Sequence, residues 1–169
     1  VMCIIIPTGC WDMVEINELA IANLVGVDYD PQNKTQSVYF QIVNPKAVSG
    51  QNNDGIKSPV YTFHADGIGS SDITSELTDY MPRKLFPNHY RAMIVSERFA
   101  KEGLLPLLNL FERLYDRRSS LAMFVTDNSV SDVMQTYLPL DRLPGNYLRN
   151  LIEMQFKSDT LILLIEDNG

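Results

Sequence analysis

Cysteine is almost missing from this chain of 169 residues: Cys3 and Cys10 are the only two, and both fall in the first ten. The body of the chain therefore has no disulfide framework and no zinc site of the Cys₄ or Cys₂His₂ type. A bridge between Cys3 and Cys10 would close only a short loop, so none is expected. Histidine is equally scarce, with His64 and His89 alone. Neither has a second histidine, a cysteine or a carboxylate at ligand spacing, so no metal and no cofactor is implied. Positive charge is in short supply too, with 14 Lys and Arg against 21 Asp and Glu and a formal net charge of −7. That balance argues against nucleic-acid binding, which depends on neutralising phosphates. Beyond the N-terminus no apolar run reaches the ~20 residues that span a bilayer, and the run 161–165 is only strand-sized. Any membrane attachment must come through the N-terminus.

Catalytic patterns are missing as well. There is no Gly-x-Ser-x-Gly elbow, and Ser129 and Ser131, near Asp127 and Asp132, read as helix-capping residues. Asp66-Gly67-Ile68-Gly69-Ser70-Ser71 lacks both the dinucleotide-binding glycine pattern and the Walker lysine, and reads as a strand-to-helix turn. Asp28, Asp30 and Asn33 lack the central glycine and terminal glutamate of a calcium loop. Glu15 and Glu18 do not make a catalytic pair. The acid–base machinery of an enzyme is not visible, and no enzymatic activity is expected.

What the chain does have is an ordinary globular composition, 45% apolar and 21% charged, and length enough for one domain that buries about 70% of its unfolded surface. Its first stretch, Ile4-Ile5-Ile6-Pro7-Thr8-Gly9-Cys10, has the order of a lipoprotein signal: an apolar segment, small residues for a signal peptidase, and a thiol to take diacylglycerol. Pro7 departs from the aliphatic residue usual there. On this reading residues 1–10 are a signal-peptide remnant ending at the lipidated Cys10, and residues 11–169 form a single α/β domain.

Hydrophobic period and turn chemistry predict the elements in order. Residues 19–30 and 35–44 read as two strands joined in a hairpin by Asp30-Pro31-Gln32-Asn33-Lys34. Residues 45–58 read as a loop and 60–65 as a third strand. Ile73, Leu77, Tyr80 and Met81 then form one helical stripe behind N-caps at Ser70, Ser71 or Asp72. Residues 89–95 read as a fourth strand, reached through that helix and so expected to pair in parallel with the third by a right-handed crossover. Residues 103–115 suit a helix with Leu107, Leu108 and Phe111 on one face, and 121–126 a strand. A helix follows carrying Val130, Val133, Met134 and Tyr137, then another from Pro144 to Phe156 and a strand at 161–165. The fold class is α/β: a mixed sheet with an N-terminal hairpin and following βα units, helices covering the sheet.

One segment stands out in an acidic protein. Met81-Pro82-Arg83-Lys84-Leu85-Phe86-Pro87-Asn88-His89-Tyr90-Arg91 gathers cations and rings between a helix end and a strand start. Both a solvated crossover and a recognition surface fit it, with Arg83, Lys84, Phe86, His89 and Arg91 as candidate partner-binding residues. Phe86 and Tyr90 are expected to pack beneath the charges, and Arg91 is the cation that strand alternation could turn inward to a salt bridge.

Three stretches together resemble the spore-germination lipoproteins that form the C subunits of nutrient germinant receptors, the GerAC-like family. They are Thr8-Gly9-Cys10-Trp11-Asp12 with Glu15-Ile16-Asn17-Glu18-Leu19-Ala20; Met81-Pro82-Arg83-Lys84-Leu85-Phe86 with His89, Arg91, Ser96-Glu97 and Ala100-Lys101-Glu102-Gly103; and Leu121-Ala122-Met123-Phe124-Val125-Thr126. Family members are longer, so the likeness is to their N-terminal domain. The resemblance implies a non-enzymatic, lipid-anchored subunit on the outer face of the spore inner membrane, assembled with membrane-embedded receptor subunits. Only the lipidated cysteine carries over residue for residue, onto Cys10. A second function, an extracytoplasmic lipoprotein that captures a small germinant itself, stays open, because an α/β sheet can offer a crevice at its strand ends.

Overall fold

The computed structural model describes residues 19–48, 58–86, 89–104, 122–136 and 142–156. Strands β1 (Leu19–Asp30) and β2 (Thr35–Val43) make the expected antiparallel hairpin. Asp30 builds the turn. Its Oδ1 accepts from the Gln32 and Asn33 amides at 2.8 and 3.4 Å, and its Oδ2 from the Asn33 side-chain amide at 2.7 Å. These donors, the Gln32 amide foremost, hold the Asp30 carboxyl below its ordinary value.

Strands β3 (Val60–Gly67), β4 (Lys84–Phe86), β5 (Ala92–Ser96) and β6 (Ala122–Thr126) complete a six-stranded sheet in the order β3-β2-β1-β5-β6, with β4 on the leading residues of β1. The β1–β2 and β2–β3 pairs are antiparallel; β4 and β5 pair with β1, and β6 with β5, in parallel. The mixed sheet is the expected fold class.

Residues directly opposite one another share a face of the sheet. Val25 lies opposite Phe40 and Met93, so these mark one face; Leu24 lies opposite Gln41 and Ala92, which mark the other. Between strands and helices come α1 (Pro45–Val48), α2 (Ser70–Tyr80), α3 (Glu97–Glu102), α4 (Val130–Gln135) and α5 (Pro144–Phe156). On the first face Ile73 and Leu77 of α2 and Phe99 of α3 pack with Val25, Val27, Phe40, Met93 and Val95. On the second, Val130 and Met134 of α4 and Leu148 of α5 pack with Leu24, Ala92, Ile94, Ala122 and Phe124. The sheet is thus covered by helices on both faces.

The parallel pairing expected between the third and fourth strands does not occur: β3 pairs with β2, and β5 with β1. Exposure explains the exchange. All of β5 is buried, which suits an interior position under two helical layers. By contrast, β3 alternates with exposed residues and sits at the sheet's edge. The fourth strand also begins later than expected, leaving His89 and Arg91 outside it. Other differences are local. Residues 45–48 form a single helical turn, with the Ala47 and Val48 amides donating to the Asn44 carbonyl. The N-cap of α2 is Gly69, and neither it nor Ser129 of α4 makes a side-chain cap bond. Two further elements went unforeseen, β4 and α3. The latter opens on Ser96, whose Oγ accepts from the Phe99 amide at 3.2 Å. Cys10, Tyr137, the helix expected at 103–115 beyond Leu104 and the strand at 161–165 lie outside the described residues.

The register of β1 against β2 shifts between Ala22 and Leu24, which makes Asn23 a bulge. Its backbone carbonyl accepts from the Arg91 amide at 2.8 Å, and its Oδ1 accepts from the Gly145 amide at 2.8 Å. Its Nδ2 donates to Asn146 Oδ1 at 3.2 Å. One irregular residue thereby ties the sheet to the entry of β5 and the first turn of α5.

Candidate functional site

The first part of the basic segment is anchored to the sheet by β4. Lys84, Leu85 and Phe86 pair in register with Leu19, Ala20 and Ile21. Leu85 and Tyr90 pack against the first-face core, and burial pushes the Tyr90 phenol above its ordinary value. Of the two rings expected beneath the charges, Tyr90 takes that place. Phe86 is half-buried and meets His89 instead, ring centroids 5.2 Å apart and tilted by 59°. Leu85, which the sequence reading passed over, is the second apolar anchor.

With those side chains held down, Arg83, Lys84, His89 and Arg91 are all exposed. Arg91 does not turn inward to a salt bridge. Its backbone instead closes on the Asn23 bulge, and its side chain is exposed at the entry to β5. Lys84 lies opposite Leu19 and Arg91 beside Asn23, four residues apart along β1 or about 13 Å. No ion pair among the described residues involves Arg83, Lys84 or Arg91. Arg98, Lys101 and Arg149, by comparison, hold Asp28, Glu97 and Glu153 at 2.7 to 2.9 Å. Three uncompensated cations on a chain of net charge −7 make a local positive surface suited to an acidic partner.

Several of the groups weighed as catalytic or metal-binding are engaged in structure, while Glu15 and Glu18 lie outside the described residues. Asp28 pairs with Arg98 and Asp30 holds the hairpin turn. Ser131 Oγ accepts from Gln135 Nε2 at 3.1 Å. His64 stacks on Tyr39 with centroids 5.8 Å apart. Among the described residues no three His, Cys, Asp or Glu side chains converge as a metal site, and no helix is long and apolar enough to cross a membrane. The sequence reading missed the Asn23–Gly145–Asn146 bracket beside Arg91, since a lone asparagine in a strand gives no signal of what its amide will meet.

Comparison with known proteins gives this surface a context. Spore germination protein KC of Bacillus subtilis (strain 168) is 24% identical over 157 residues, 90% of this chain and 38% of that protein. Spore germination protein A3 of the same organism is 22% identical over 134 residues, 78% of this chain and 35% of that protein. The chain thus spans little more than a third of the length of the curated relatives it matches. No solved structure shows a significant match. The family model described as the spore germination protein N-terminal domain matches residues 12–163, and the chain belongs to that family, the GerAC-like proteins it resembles in its motifs.

Proposed function

We propose that this chain is the N-terminal domain of a lipid-anchored, non-enzymatic subunit of a spore nutrient germinant receptor, acting in germination through protein contacts. The match across residues 12–163 to the spore germination N-terminal domain carries the reading. In it, Cys10 bears the lipid and holds the domain on the outer face of the spore inner membrane. Arg83, Lys84, Phe86, His89 and Arg91 dock on a membrane-embedded receptor subunit. Exposed, unpaired cations beside half-buried rings suit such a contact, since arginine and aromatic residues are enriched where proteins bind one another.

The test is charge reversal, Arg83→Glu with Lys84→Glu, followed by melting temperature and co-purification with the membrane subunits. Normal melting with lost assembly is the expected result. Unchanged assembly removes the docking surface, and lost folding makes the two residues structural. In parallel, Cys10→Ala should release the full-length protein from membranes, and the N-terminal peptide should carry a diacylglyceryl group by mass spectrometry. An unmodified Cys10 in membrane-bound protein removes the anchor. The other reading, capture of a small molecule, is favoured by a cleft on the opposite face of the sheet.

A further inference from the structure

On the second face, the helical cover formed by the described residues stops short of the sheet's edge at β3. Its core cluster ends at Met134 of α4 and at Tyr39 of β2, while Thr62 and His64 of β3 stay exposed. The step between the end of α4 and this bare edge is a cleft of about 390 Å³, within the usual range for small-molecule sites.

Gln41 lies in its wall and is only 2% exposed. Its Nε2 donates to the Met134 carbonyl at 3.0 Å, satisfying one of the acceptors that the end of a helix leaves open. That bond fixes the amide, because the flipped orientation would set two oxygens against each other. The remaining oxygen, Oε1, is buried and has no hydrogen-bond donor. A buried acceptor without a donor is costly, and the cleft is the side from which one can be supplied.

The rest of the wall indicates what kind of molecule would supply it. Tyr39 and His64 stack on one another nearly parallel, 23° apart, which leaves an outer ring face on each. Thr62, Gln135 and Thr136 add hydroxyl and amide groups, and among the described residues no carboxylate, ammonium or guanidinium lines the space. Asp28, Asp66 and Asp132 lie near enough to help burial raise the Tyr39 phenol above its ordinary value, so the field around the cleft opposes an anion. Among the described lining residues a zwitterion would find no charged groups to meet its two ends.

We infer that this cleft binds a small uncharged polyhydroxy compound, of about monosaccharide size, with one hydroxyl donating to Gln41 and an apolar ring face on the Tyr39–His64 pair. The inference deepens the small-molecule reading and is independent of the basic surface, so loss of either leaves the other standing.

Calorimetric titration of the intact protein tests it, with glucose and myo-inositol as neutral polyols, glycine as a zwitterion and glucose 6-phosphate as an anion. At least one polyol should bind, and the two charged probes should bind roughly tenfold more weakly or not at all. His64→Ala removes an exposed ring and leaves the core intact, and it should weaken polyol binding by about tenfold. Gln41→Leu should do the same or more, its folding checked by melting temperature. If Gln41→Leu fails to fold, His64→Ala alone decides. No binding of either polyol at millimolar concentration overturns the proposal. So does equal binding of the phosphorylated or zwitterionic probe, or polyol binding that His64→Ala leaves unchanged.

Discussion

Asn23 does the work of several residues. The residue is 5% exposed, and its two side-chain polar atoms face Gly145 and Asn146. Asn23→Ala strands the Gly145 amide, a buried donor, and should cost about 1–3 kcal/mol in urea unfolding. Gly145→Ala approaches the same contact from the other side, because an added Cβ would run into the Asn23 carbonyl. Overpacking of this kind costs about 1–3 kcal/mol, so Gly145→Ala should also lower the unfolding midpoint. Asp30 makes a different kind of local prediction. Its folded carboxyl is depressed, so whatever it contributes is present above its unfolded value of about 3.9. That contribution is lost as pH falls through the lower folded value. An NMR titration should place Asp30 below ~3.9, and Asp30→Asn should remove this acid-side dependence of the hairpin turn.

At the scale of elements, burial decides position. Phe99 holds α3 to the sheet: it is 4% exposed and meets the Tyr29 ring edge-on at 6.2 Å. Phe99→Ala should therefore cost about 3–5 kcal/mol in denaturant unfolding, far more than loss of the exposed Lys101–Glu97 pair on the same helix. The hairpin, β3, α2, β6, α4 and α5 were all legible in the sequence, because each carries an apolar period or turn chemistry within its own span. Besides the single turn α1, three things were not. The short α3 shows only its terminal signals, Ser96 and Gly103, around too few residues for a helical period. The short β4 owes its existence to partners at Leu19, Ala20 and Ile21, far away in the chain. Strand order was misjudged for the same reason. An uninterrupted buried run such as Ala92–Ser96 states that it lies inside, but not which strand it lies against. Of the candidate surface, the sequence showed its charges and rings; which ring would be underneath depended on β4.

Taken as a whole, the molecule separates its two chemistries. The uncompensated cations gather where β4 and the entry to β5 meet β1, and the uncharged cleft opens on the other face beside β2 and β3. Contacts through exposed charges are screened by salt, so the proposed assembly through Arg83, Lys84 and Arg91 should weaken markedly between low salt and 0.5 M NaCl, measured by co-purification. Polyol titration should change little over that range. The central place of β1 also has a mechanical meaning. It is held by β2 on one edge and β5 on the other, with β4 clasping its leading residues. A pull applied ahead of Leu19 runs along that strand and loads its cross-strand hydrogen bonds in shear, because antiparallel ladder bonds lie across the strand direction. Drawing β1 out requires its ladders on both edges to give way together. The same load along the edge strand β3 would meet only its one ladder to β2, so β1 is the strand braced on more sides, against tension that arrives ahead of Leu19.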